Sequence, residues 1–183
     1  IINALGAMAP GTRLHVRTST ARWLFDATLR VGAAIEPVTC DTGVIQADSL
    51  RLDERETIRE AARFHAGLDA VAGREAAFLR QVGASAVVGD IPPLAFAAAA
   101  RAGVPSVAIS NFAWDWIYAG YPEALEDAPW LPSAIRDAYA RASLLLRLPM
   151  WGGLAWWPCP AADIPFVARH SHRDAADVRR HLG

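Results

Sequence analysis

Ala84-Ser85-Ala86-Val87-Val88-Gly89 is a short apolar run, followed by the turn Asp90-Ile91-Pro92-Pro93. An alanine-rich stretch then runs from Leu94 to Ala102 and is closed by Gly103, and a second apolar run extends from Val104 to Ser110. The valine-rich runs read as strands. The proline pair fits the first turn of a helix, where backbone N–H groups lack intrahelical partners. Gly103 is the residue type that ends a helix in a left-handed turn. Residues 84–110 therefore read as strand, helix, strand. Two strands joined by a helix pair in parallel through a right-handed crossover. Strands apolar on both faces belong to a sheet covered on both sides.

The same alternation extends outward. Downstream, an aromatic helix is expected over residues 111–119, turns with a short helical piece over 122–132, a helix over 133–142 and a last strand over 144–148. Upstream, Asp53 caps one long helix reaching residue 81 and ended by Gly83. Residues 41–52 form a loop, long for a connection in an α/β domain, and long loops are often functional. Strands are expected at 14–18 and 35–40. Between them, Ser19 or Thr20 caps a helix over 21–31 that Gly32 stops, with Trp23, Leu24, Ala27 and Leu29 on its apolar side. The opening residues 1–8 read as the middle of an amphipathic helix ended by Pro10-Gly11; with no cap or initiating Met, the expectation is a chain cut upstream. The fold class is α/β, a Rossmann-like parallel sheet with helices on both faces. Residues 1–165 form this domain. Residues 166–183 form a linker and a helix, begun by a capping box at Ser171-His172-Arg173-Asp174, that leads toward a further domain.

Composition narrows the function classes. Hydrophobic residues make up 53% of the 183, enough for a packed core. With 18 basic and 19 acidic residues the chain has no electrostatic footprint for a polyanion, so nucleic acid is not an expected partner. Every one of the basic residues is Arg, which reads as genomic codon bias. Cys40 and Cys159 are not a disulfide framework, and the default location is a reducing cytoplasm. Residues 143–160 are the most apolar stretch, but Arg147, Pro149 and Pro158 interrupt it, so it is not a spanning helix, which needs about 20 apolar residues. Three of the seven tryptophans, Trp151, Trp156 and Trp157, fall in residues 148–158. Packing is the first reading of that cluster, and a surface that docks a second domain or a membrane interface is the second.

In an open parallel sheet, ligands bind beyond the carboxyl ends of the strands. Three segments leave strands at that edge: residues 41–48, 89–93 and 110–118. They bring Asp41, Gln46, Asp90, Asn111, Trp114, Asp115 and Tyr118 to one rim. Carboxylates and amides bond sugar hydroxyls, and flat aromatic rings cover the C–H faces of a sugar. Each residue also has a plainer role. Asp90 and Asn111 stand where helix caps stand. Trp114 and Trp116 are two apart and cannot share a helix face, so one is core and the other faces the cleft, with Asp115 the exposed member. His170 and His172 form a pair with no third ligand, so no metal site is expected. His15 and His65 read as ordinary strand and helix residues. The chain contains no GxSxG elbow, no phosphate-binding Walker loop and no GxGxxG, so no catalytic residue can be assigned and no cofactor is expected.

The segments Gly89-Asp90-Ile91-Pro92-Pro93-Leu94-Ala95 and Ser110-Asn111-Phe112-Ala113-Trp114-Asp115-Trp116-Ile117-Tyr118 carry a family likeness, supported by Asp41-Thr42-Gly43-Val44-Ile45-Gln46. With them the chain resembles the glycosyltransferase-like region of the MurG-like GT-B superfamily. A similar region precedes the kinase domain of plant L-arabinokinases. The resemblance implies two Rossmann-like domains facing across a cleft. The amino-terminal one shapes the side of a small-molecule sugar acceptor, and the carboxy-terminal one binds a nucleotide-sugar donor. It implies transfer of a sugar to an acceptor hydroxyl, with Asp90 and Asp115 as acceptor contacts and the oligomeric state left open. In that family a first strand and a loop containing glycine and histidine come before the first helix, and the donor domain follows, so catalysis by this chain alone is not expected. The alternative is a non-catalytic sugar- or nucleotide-binding module attached to a sugar kinase.

Overall fold

The computed structural model describes residues 1–168 and 173–183. The elements run α1 (Ile2–Met8), β1 (His15–Thr18), α2 (Arg22–Thr28), β2 (Ala34–Pro37), α3 (Glu54–Ala66), α4 (Leu68–Val82), β3 (Val87–Gly89), α5 (Pro93–Ala102), β4 (Ser106–Ser110), α6 (Trp114–Tyr118), α7 (Pro122–Leu125), α8 (Leu131–Tyr139), β5 (Leu144–Arg147), β6 (Ala161–Asp163) and α9 (Ala175–Leu182). The protein has the α/β, Rossmann-like architecture: every paired strand is parallel to its neighbour and helices flank the strands. The strands fall into two sheets, β1-β2 and β3-β4-β5-β6.

Local chemistry accounts for the central unit. Pro93 opens α5 and Gly103 closes it at φ 72, a left-handed conformation that costs glycine little. Gly89, Ala108 and Leu145 occupy matching register positions, so they share one face of the larger sheet. That face is buried under α5, α6 and α8, where Phe96, Tyr118, Leu131, Ile135, Tyr139 and Trp157 join it in one hydrophobic cluster. Ile58 and Ala61 of α3 complete it. A second, smaller cluster ties α4, α5 and α8 together through Ala72, Leu94, Ala97 and Ala138.

Several expectations needed correction. The single long helix is two, because Gly67, with no side chain to favour continuation, ends α3 and opens α4. Asp53 does cap its start, accepting a hydrogen bond from Glu56 N at 2.9 Å. Neither Ser19 nor Thr20 caps α2, whose N-cap is Ala21, and α2 stops at Thr28 because Leu29 is extended. Its supposed apolar side is largely in solvent, with Trp23 69% exposed. Strand β5 is not the last, since β6 pairs beside it within the proline-rich connector. The final helix is capped by Asp174, which accepts from the amides of Ala176 and Asp177. The pair His170 and His172, and Ser171 of the expected capping box, lie outside the described residues. His15 and His65 are strand and helix residues as expected; His65 is buried with Nδ1 2.9 Å from Ala61 O.

Candidate functional site

The three turns expected at one rim do meet there. Asp41 and Gly43 follow β2, Asp90 and Ile91 follow β3, and Trp114 and Tyr118 follow β4. Trp114 Nε1 donates to Asp41 Oδ2 at 3.3 Å, and Tyr118 OH donates to Gly43 O at 2.9 Å. The Trp114 and Tyr118 rings stack with centroids 5.6 Å apart, and Phe112 meets Trp114 edge-on at 5.0 Å. Gly43 adopts φ 63 directly beside the Trp114 ring, where an L side chain would be strained.

A residue outside these turns locks two of them. The buried Tyr139 hydroxyl donates to Ile91 O at 3.0 Å and accepts from Trp114 N at 3.3 Å. Ile91 sits at φ 63, a rare conformation for a β-branched residue, and its side chain is fully buried. This fixes the direction in which the chain leaves Asp90. Among the described residues Met150, at φ 61, is the other positive-φ residue besides the glycines and lies on the turn after β5, at the same sheet edge. Strained backbone of this kind concentrates at functional sites.

The electrostatics of the rim centre on two carboxyls. Burial pushes the half-buried Asp41 above the ordinary carboxylate range; the Trp114 N–H counters this, and repulsion from Asp90 adds to it. Solvent reaches Asp90, yet the surrounding protein raises its carboxyl too. Burial also pushes the Tyr118 hydroxyl up to about 12, so it remains a neutral donor. The Cys40 thiol, pushed up to about 11 mainly by burial, is inert at neutral pH. The Thr42 hydroxyl is buried close to the Tyr118 hydroxyl, which it favours in the charged form against the larger effect of burial. Tyr118 is 1% exposed and its hydroxyl is taken by Gly43 O, so it positions the Trp114 ring and does not itself reach a ligand; two carboxyls and an indole can bond hydroxyls and cover an apolar sugar face.

Asp115 departs from expectation. It is 1% exposed rather than the exposed member, and its Oδ2 accepts from Arg136 Nε at 2.7 Å. Burial holds its carboxyl above the usual range despite that partner. The helical spacing misled because α8 packs over this side of α6. Trp114 is the inward tryptophan, and Trp116 is 51% exposed, its ring lying against Gly152 and Gly153. Asn111 is not a cap: Ala113 is the N-cap of α6, and Asn111 is exposed, with its carbonyl accepting from Gly152 N. Gln46 is exposed and bridges Leu52 near the start of α3, apart from the Asp41–Trp114–Tyr118 contacts. Sequence reading missed Tyr139, Ile91 and Arg136, because no local motif marks a residue that acts through distant partners. Of the tryptophan-rich segment, Trp157 is core, stacked on Tyr139 at 4.7 Å, while Trp151 lies at the surface under Arg147. Among the described residues, no group of three or more His, Cys, Asp or Glu could hold a metal ion, and no helix is long and apolar enough to cross a membrane.

Comparison with known proteins gives one sequence likeness. The chain is 32% identical over 186 residues to L-arabinokinase of Arabidopsis thaliana. The match takes in 96% of this chain but only 17% of that protein's length. No family model matches the chain, and no solved structure matches it.

Proposed function

We propose that the rim binds a sugar, and that the chain is the carbohydrate-binding α/β module of a longer protein related to a sugar kinase. The observation that carries this reading is the juxtaposition of Asp41 and Asp90 with the Trp114–Tyr118 stack. Carboxyl oxygens there accept from sugar hydroxyls, Tyr118 keeps its own proton, and the indole offers an apolar face. The likeness to a protein named L-arabinokinase supports a sugar as the ligand class.

A second reading is the acceptor side of a GT-B glycosyltransferase, with residues 1–165 as the acceptor domain and 166–183 leading to a donor domain. The raised carboxyls favour it, since a carboxylate lifted out of its ordinary range is the better general base toward an acceptor hydroxyl. In that role Asp41 or Asp90 takes the acceptor hydroxyl proton while the acceptor oxygen bonds the anomeric carbon of the donor sugar, and the bond from that carbon to the nucleoside diphosphate breaks as the diphosphate leaves.

Titration with L-arabinose, other free pentoses and hexoses, and a uridine-diphosphate sugar, followed by heteronuclear NMR, tests the rim. The expected result is a free sugar that shifts the Trp114 indole and Gly43 amide resonances, with affinity at least about tenfold weaker in Asp41→Asn, the loss of about one charge-assisted hydrogen bond. Binding unchanged in Asp41→Asn and Asp90→Asn refutes the rim assignment. The transferase reading assigns the donor to a carboxy-terminal domain, so a nucleotide sugar that binds this chain more tightly than every free sugar refutes it, and donor turnover by the longer protein that falls in Asp41→Asn or Asp90→Asn favours it.

A further inference from the structure

Helix α6 lies along the rim and carries an indole to each end of it. Trp114 reaches back to the turn after β2, where its Nε1 donates to Asp41. Trp116, two positions on and therefore on another side of the helix, lies over Gly152 and Gly153 in the turn after β5. The sugar reading above uses the first end alone.

The second end is built as a platform. A Cβ at Gly152 would come 2.8 Å from the Trp116 ring and one at Gly153 closer still, so the glycine pair is what lets the indole run along that backbone. One side of the ring is covered there, and the rest stands in solvent. Trp151 precedes the pair, its Cα about 3.8 Å from that of Gly152, so the two indoles flank one stretch of chain. The Arg147 guanidinium lies 4.6 Å over the Trp151 ring and is held by Asp163, to which its Nε donates at 2.8 Å. Trp151 is thus covered on one face and remains 38% exposed. Met150 stands in solvent next to it. Both rings are fixed before a ligand arrives, which spares the ligand the cost of ordering them.

Strand register places the platform relative to the carboxyls. Gly89 is level with Ala108, and Ser110 is level with Arg147. Asp90, Asn111 and the turn holding Met150 therefore follow one another along the edge, at steps of about 4.8 Å. Asn111 joins the last two: it is exposed, and its carbonyl accepts from Gly152 N at 2.8 Å. Two steps amount to about 9.5 Å. A sugar ring spans about four bonds from one hydroxyl oxygen to the opposite one, roughly 6 Å. A ring bonded to Asp90 stops short of the indoles, and a second ring linked to it reaches them.

The surroundings of the indoles fit a saccharide better than the other partners of an apolar surface. Two partly exposed indoles and a methionine offer well under the roughly 800 Å² a side of a stable protein interface. Asp163 neutralises Arg147, so its charge does not draw the turn to anionic lipid headgroups. The Asn111 amide and the Asp163 carboxylate, both on exposed residues, stand beside the rings as partners for hydroxyls.

We propose that Trp116, Met150 and Trp151 form a second subsite, for a further saccharide ring, so that the rim takes a glycoside of two or more rings. This extends the sugar reading of the Asp41–Asp90 end, on which it rests.

Paired titrations test it. Disaccharides of glucose, galactose and arabinose in α and β linkage, each beside its constituent monosaccharides, are added to this chain with the indole Nε1–H resonances assigned. The expected result is a disaccharide that binds at least about tenfold more tightly than either constituent, a gain of about 1.4 kcal/mol. It shifts the Trp116 and Trp151 indoles as well as that of Trp114. Trp116→Ala and Trp151→Ala are each expected to bring the affinity ratio to within about twofold of unity. The wild-type ratio and indole shifts decide the outcome even where Trp116→Ala does not fold. Monosaccharide binding at Trp114 with no disaccharide bound more tightly overturns the second subsite and leaves the first. Absence of binding by all of these sugars overturns both. Trp116 and Trp151 shifts produced by phosphatidylcholine–phosphatidylglycerol vesicles, or by raising protein concentration, and not by a disaccharide, overturn it in favour of a membrane surface or a second copy of the chain.

Discussion

Replacing Arg136 with alanine isolates the energetics of the Asp115 carboxyl. Asp115 is 1% exposed, its Oδ2 is bonded to Arg136 Nε, and the nearby backbone N–H groups of Asp115 and Trp116 favour its charged form more weakly. Deleting one member of a fully buried ion pair costs about 3–5 kcal/mol, because the other charge stays behind uncompensated. The Arg136 side chain is 54% exposed, so water fills part of the space it vacates, and an exposed pair is worth at most about 1 kcal/mol. Between these limits the expected loss at pH 7 is about 2 kcal/mol. For a chain of this size that is a fall in melting temperature of about 4–8 °C. Part of it, about 0.5–1 kcal/mol, is the loss of the guanidinium packed 5.2 Å from the Trp156 ring, and does not depend on pH. The remainder does. Burial raises the Asp115 carboxyl above its unfolded value, so its contribution to stability is fully present below the unfolded pKa and lost as pH rises through the folded one. Removing Arg136 raises the folded value further. The deficit of Arg136→Ala is therefore largest at neutral pH and narrows as the solution is acidified toward pH 4. Asp41 and Asp90 are raised in both proteins and cancel in the difference. Urea unfolding followed by tryptophan fluorescence from pH 4 to 8 measures it. A deficit that stays constant across that range, or remains below about 0.5 kcal/mol at pH 7, refutes the account.

Two further outcomes follow from the geometry. Tyr139→Phe leaves Ile91 O and Trp114 N without their shared partner; the expected loss is about 2–4 kcal/mol by denaturant unfolding, with sugar affinity at the rim falling further than in a surface control of equal stability. Gly153→Ala drives a Cβ into Trp116 Cβ at a backbone φ of 71, so about 2–3 kcal/mol of destabilisation and a shifted tryptophan emission are expected, and a neutral result would show that the turn after β5 does not pack on Trp116.

Residues 84–110 made the α/β class and the parallel pairing legible, because prolines, a terminal glycine and apolar runs act over a few residues. The Asp53 cap and the Gly83 and Gly103 helix ends were legible for the same reason. Gly67 was also visible as a helix-breaking residue, but the periodicity on either side concealed that it divides α3 from α4. The rim was readable as a set of turns, since topology alone sends every parallel strand's carboxyl end to one edge.

Tertiary structure decided which rim residues meet and which are covered. Asp41 touches Trp114 across 73 positions of sequence, and Tyr139 reaches Ile91 across 48, separations at which no local pattern carries information. Asp115 is buried only because α8 lies against α6 and presents Arg136 to it. Periodicity assigns a residue to a face of its own helix; whether that face meets solvent or protein depends on where other elements pack. The division into two parallel sheets likewise belongs to the tertiary structure, because a strand's pairing edge is set by its neighbours in space and not by its own side chains.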